Sequence, residues 1–137
     1  MDWSRADALS GGLVALAVLA GVALWPQLPA EVAIHFSASG TPDNYVPTAV
    51  GVFLLPAIML GTLLFTTVAL RADPPSHPHT APVVVVSTTA FLGVLHVLVL
   101  AWNAGYPVPL DGLLPGTLAF AACLIAYTHW REGVSWS

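Results

Sequence analysis

TAVGVFLLPAIMLGTLLFTTVAL, residues 48–70, runs up to Arg71 without one charged side chain. A bilayer core takes about 20 predominantly apolar residues in helical form. The apolar residues here are continuous, whereas a membrane-crossing strand would alternate apolar and polar positions. The stretch therefore reads as a transmembrane helix. Residues 8–25, 81–102 and 112–130 read the same way, with residues 81–102 uncharged apart from His96. The expected fold class is an all-α membrane protein: a four-helix transmembrane bundle forming a single domain over residues 1–137.

Composition agrees with that reading. Only 7% of residues are Asp, Glu, Lys or Arg and 57% are hydrophobic, where a soluble domain carries about a quarter charged. The lipid bilayer is thus the first expected partner. A net charge of −4 with no lysine excludes the clustered cations that nucleic-acid binding requires. The single cysteine, Cys123, excludes an internal disulfide and, lying in an apolar run, reads as a small buried hydrophobe. His77-Pro78-His79 has only Asp73 beside it, which falls short of a metal ligand set. With no Ser-His-Asp set, zinc motif or phosphate loop, the chain reads as a non-enzyme without metal or cofactor.

The tryptophans mark the span ends. Trp3, Trp25, Trp102, Trp130 and Trp136 all fall at or beyond a boundary, where amphipathic rings favour the headgroup region. Arg5, Arg71 and Arg131 occupy the N-terminus, the second loop and the C-terminus, one each. The other two loops hold Glu31, Asp43 and Asp111 but no Lys or Arg. By the positive-inside rule both termini are cytoplasmic, in a multi-pass protein of the cell membrane. Leu28 is a poor residue for a signal-cleavage site, so the first span is expected to be retained. Residues 72–82, with Pro74, Pro75, Pro78 and Pro82, read as a short extended linker. Residues 103–111 read as a tight external turn.

Residues 26–47 between the first two spans are expected to form a small ordered extracytoplasmic cap. Val32, Ile34 and Phe36 alternate with Glu31, Ala33 and His35, which is strand periodicity after Pro29. Ser37-Ala38-Ser39-Gly40 follows as a turn, with Gly40 free to take positive φ. Thr41-Pro42-Asp43-Asn44 reads as a second turn.

Leu28-Pro29, Val32, His35-Phe36, Gly40, Pro42-Asp43 and Tyr45, followed by a span containing Leu55-Pro56, resemble the uncharacterised domain at the N-terminus of Sdp immunity proteins. The resemblance covers residues 8–70 well and the last two spans by general pattern. The family continues into a segment with an Arg-Thr pair, and no such pair occurs here. The resemblance implies a bacterial or archaeal cell-membrane protein tied to immunity against, or sensing of, a membrane-active toxin. Its partner would be a peptide toxin or another membrane protein.

The candidate binding surface of the cap is His35, Phe36, Asp43 and Tyr45, with Pro29, Gly40, Pro42 and Pro56 as structural positions. His35 and Asp43 can meet across the turns. The pair reads as a metal or proton site or a recognition surface; the commoner arrangement has Asp43 capping the turn through backbone N–H groups and His35 hydrogen-bonded within the cap. His96, within the third span, reads either as a functional polar group facing the bundle interior or as a neutral side chain bonded to a Ser or Thr of another helix. Pro56 and Pro115 are expected to kink their helices and, with His96, to open a vestibule beneath the cap. Ala17 with Gly21, and Gly11 with Ala15, suit close helix approach. The leading function is recognition through the cap; the alternative is a small proton-coupled transporter or permease subunit using His96.

Overall fold

The computed structural model describes residues 2–133, so Trp136 lies outside the described residues. The chain runs α1 (Trp3–Leu24), β1 (Glu31–Phe36), β2 (Pro42–Pro47), α2 (Thr48–Ala72), α3 (Thr80–Asn103) and α4 (Leu113–Glu132), with 3-10 turns at Trp25–Gln27 and Leu110–Gly112. Counted with those turns, the four helical segments are 23 to 25 residues long. At about 1.5 Å per residue each reaches roughly 35 Å, enough to cross a hydrocarbon core of about 30 Å. Four helices of this length and apolarity fit a multi-pass membrane protein.

Each helix boundary has a local cause. α1 starts five residues ahead of the expected span because Asp2 caps it, accepting the Arg5 N–H at 2.9 Å. That bond, with the Ser4 hydroxyl behind it, holds the Asp2 carboxyl below its usual range. Thr80, Ala81 and Pro82 belong to the first turn of α3 rather than to an extended linker. A proline there gives up an N–H that has no intrahelical partner anyway. Pro115 likewise sits in the first turn of α4, so it starts a helix and does not kink one. Pro56 alone falls inside a helix, where the Val52 carbonyl loses its usual donor.

The interior is apolar, with Val52, Met59, Val85 and Leu100 buried, and the outer surface is apolar as well, unlike that of a water-soluble protein. On α1 the side chains that face inward are small: Ala6, Ser10, Ala17 and Gly21 form its buried stripe. Leu16, Leu19, Phe65, Val68 and Ile125 are each more than 60% exposed. Small residues let helix backbones approach closely where lipid, not water, covers the outside. At Gly21 an added Cβ would lie 2.9 Å from Val52 Cγ1 and 3.4 Å from both His96 Nε2 and Leu100 Cδ1, so α1, α2 and α3 converge there. Gly11 and Ala15 instead point outward, and only the Ala17–Gly21 pair serves a helix contact. Cys123 is exposed, not buried, because α4 rests mainly on α3 and buries none of its own residues. Stacking of Phe91 on Phe120, at 4.2 Å between centroids, supplies part of that attachment.

At the end away from the hairpin, polar contacts tie segments that are distant in sequence. Arg71 reaches Asp7 at 2.5 Å and lies 4.7 Å over the Trp3 ring. Glu132 at the end of α4 accepts the Ser76 N–H at 2.6 Å and the Thr80 hydroxyl at 2.5 Å, with His77 Nδ1 3.7 Å away. The proline-rich loop is therefore tethered to α4 through Glu132, while residues 73, 74 and 76–79 stay exposed to solvent.

Candidate functional site

The segment between α1 and α2 folds as an antiparallel hairpin. β1 occupies the residues whose alternation indicates a strand, but Pro42–Pro47 is its partner strand rather than a second turn. The two prolines are the first and last residues of β2, where a missing N–H is tolerated. The turn itself is residues 37–41, closed by Ser37 N–H to the Thr41 carbonyl at 2.8 Å and Gly40 N–H to the Ser37 carbonyl at 2.9 Å. Gly40 has φ +84°, and an added Cβ would stand 2.7 Å from the Asp111 nitrogen. The hairpin tip thus lies against the turn that leads into α4.

Register explains the one ion pair of the hairpin. Ala33 pairs with Tyr45, His35 with Asn44 and Phe36 with Pro42, leaving Ile34 and Asp43 as the extra residues of two bulges. A bulge re-aims the side chains around it. Asp43 is turned onto His35, with Oδ1 at 2.6 Å from the ring Nδ1. It therefore does not cap the turn as expected; the Ser37 hydroxyl does so, accepting the Thr41 N–H at 3.2 Å. The His35 and Asp43 side chains remain 70% and 48% exposed.

Asn103 holds the hairpin on the bundle, and the sequence did not single it out. Its carboxamide accepts the Ala33 N–H at 2.8 Å and donates to the Ala33 carbonyl at 2.9 Å, acting as one residue of a third strand. It also donates to the Val99 carbonyl one turn earlier. Ala33 is fully buried in consequence, although simple alternation puts it with His35 on the outer face. Three further contacts fix the orientation: Phe36 packs edge-on against Trp102 at 5.6 Å, the Thr48 hydroxyl donates to the Pro29 carbonyl, and Val32 lies on Gly51. Gly51 was not picked out either; a glycine in an apolar helix opposite a strand valine was its only trace.

Beneath the hairpin lies a cleft with two adjoining lobes of about 370 and 310 Å³. Ile34, His35, Leu55 and Val99 border both lobes. Phe36, Leu95, Leu113, Leu114 and Thr117 are among the other walls of the larger one; Asn44, Gly51, Ile58 and His96 are among those of the smaller. Of the three residues expected to open a vestibule, His96 borders the smaller lobe, Pro56 is buried within α2 and lines neither lobe, and Pro115 contributes no kink. His96 is 2% exposed and faces inward, against the backbone of Ala17. The polar group nearest its ring is the Ala17 backbone of α1, beyond good hydrogen-bond geometry from Nε2, in place of the expected Ser or Thr. Tyr45 stands outside at 52% exposure, whereas Phe36 is half-buried by its contact with Trp102.

The fold and this site define a multi-pass helical protein with a hairpin fixed over one end of its bundle. The model of a family described as a domain of unknown function (DUF1648) matches residues 12–60, which take in most of α1, the hairpin and the first half of α2. No curated protein and no solved structure matches the chain.

Proposed function

We propose that this is a non-enzymatic protein of the cell membrane whose hairpin faces the outside and recognises a membrane-active peptide, in an immunity or sensing role like that of the Sdp immunity proteins. The observation that carries the reading is the mode of attachment. Asn103 and Gly51 hold the hairpin on the bundle, while Asp43 and Tyr45 stand exposed and His35, which also borders the cleft, keeps 70% of its side chain exposed. A preorganised surface with an exposed aromatic suits a binding role, because little side-chain or loop ordering remains to be done on association. Phe36 acts here as a support for the hairpin through Trp102. The termini are cytoplasmic in this reading, since the arginines lie at the opposite end. The competing reading, a proton-coupled permease, draws on the buried His96 with its unpartnered nitrogen.

The two readings rank the same variants in opposite order. A host expressing each variant is challenged with a panel of cationic membrane-active peptides, and the protein in the membrane is quantified alongside. Recognition predicts that Tyr45→Ala and His35→Ala lose protection at normal abundance while His96→Leu keeps it. Loss by His96→Leu alone favours a pathway through the bundle, and no protection by the wild type removes the immunity role.

A further inference from the structure

We infer that the groove between α1 and α2, at the end away from the hairpin, binds a phospholipid whose head carries a phosphate and a primary ammonium, the phosphate on Arg71 and the ammonium on Asp7. α1 lies closer along α3 than along α2, and a pocket of about 340 Å³ remains between α1 and α2. Asp7 of α1 lines it together with Leu63, Leu64, Thr67, Val68 and Arg71 of α2. Its open side faces outward, since Leu64 and Val68 are 58% and 67% exposed. A groove on the flank of a membrane span meets lipid, so the occupant is drawn from the lipids of the bilayer.

Asp7 lies in the second turn of α1 and Arg71 is the penultimate residue of α2, which puts the pair at headgroup level. The Trp3 ring, 4.7 Å from the Arg71 guanidinium, stands at the same level, where such rings favour the interface. Thr67 and Val68 follow one turn deeper, and Leu63 and Leu64 two turns deeper, about 12 Å from Arg71 along the axis. The headgroup layer is about 5–8 Å thick on each side of the bilayer, so the two leucines lie at the depth of the acyl chains. The pocket therefore passes from charged to apolar in the order in which a phospholipid does.

Charge selects the head. Both charged groups are themselves part of the pocket wall, and their mutual bond uses only part of each: Nη2 of Arg71 donates to Oδ2 of Asp7 at 2.5 Å. A guanidinium has five N–H groups and a carboxylate a second oxygen, and the two side chains stay 49% and 44% exposed. A phosphate beside Arg71 and an ammonium beside Asp7 complete a ring of four alternating charges. An anionic head satisfies Arg71 but is repelled by Asp7, and a choline head offers Asp7 no N–H. This inference rests on the four spans lying in a bilayer and not on the recognition role, and lipid binding and protection are read by different measurements.

The test is native mass spectrometry of the full chain from detergent at low ionic strength. The protein is titrated with phosphatidylethanolamine, phosphatidylcholine or phosphatidylglycerol of identical acyl chains. The first phosphatidylethanolamine is expected to bind about two- to fivefold more tightly than phosphatidylcholine, as for one partly exposed charge contact, and more tightly than phosphatidylglycerol. Asp7→Asn should bring phosphatidylethanolamine down to the level of phosphatidylcholine, whereas Asp7→Glu should keep the preference. Arg71→Gln should weaken both lipids by a similar factor. Val68→Trp sets a ring across the pocket without touching the ion pair, and it should also remove the preference. Circular dichroism reports the fold of each variant, so Val68→Trp decides if a charge variant fails to fold. Equal binding of the three lipids by the wild type, or a preference that survives in folded Asp7→Asn or Val68→Trp, overturns the site. Unchanged binding by folded Arg71→Gln overturns the phosphate contact, and tighter binding of phosphatidylglycerol overturns the paired head.

Discussion

Asn103→Leu is expected to destabilise the protein by about 2–6 kcal/mol, because it strands two buried backbone groups at about 1–3 kcal/mol each. Ala33 is fully buried, and both its N–H and its carbonyl are bonded by the Asn103 carboxamide. Leucine has the same reach and fits an apolar setting, so volume is not the cause of the loss. Asn103→Asp is an informative second variant: it keeps an acceptor for the Ala33 N–H but sets a carboxylate against the carbonyl. Thermal unfolding in detergent is the measurement, with His35→Ala as the reference. His35 is largely exposed, so its loss removes an ion pair worth about 0–1 kcal/mol. Equal shifts for Asn103→Leu and His35→Ala would show that the hairpin does not depend on this anchor.

Gly51→Ala carries the second large effect. The added methyl would overlap Val32 Cγ2, and Val32 is itself fully buried. Overpacking of this kind costs about 1–3 kcal/mol, and here relief requires the hairpin to lift off α2. Val32→Ala removes the clashing methyl, so the double variant should be more stable than Gly51→Ala alone. The coupling should be about 0.5–3 kcal/mol, as for residues in contact. Additive losses in the two single variants would mean that hairpin and helix are not pressed together at this point.

These two residues mark the limit of what the sequence discloses. The four helices were legible because lipid solvation leaves a crude signal: long uncharged runs ended by Trp3, Trp25, Trp102 and Trp130. β1 was legible to the residue through its alternation. β2 was hidden because Pro42 and Asp43 read as turn formers, whereas Pro42 begins a strand and Asp43 is the extra residue of a bulge. Tyr45-Val46, opposite Ala33-Val32 in the ladder, was the available clue. The meeting of His35 with Asp43 followed from their spacing, but its form did not, since it depends on register. Asn103 lay beyond sequence reasoning for a plainer reason. Its partner is 70 residues away, and one amide at a helix end resembles any other. The tethered loop at residues 73–79 was missed likewise, because Glu132 captures it from the far end of the chain.

In the proposed orientation the hairpin lies on the side of the membrane opposite Arg5, Arg71 and Arg131. Ser39 lies in the hairpin turn, and Ser76 lies in the loop between α2 and α3. In a Cys123→Ser background, Ser39→Cys and Ser76→Cys are each treated with a membrane-impermeant maleimide in intact cells and again after permeabilisation. Ser39→Cys is expected to be labelled in intact cells and Ser76→Cys only after permeabilisation. Labelling of Ser39→Cys only after permeabilisation, or of both positions in intact cells, would contradict that orientation.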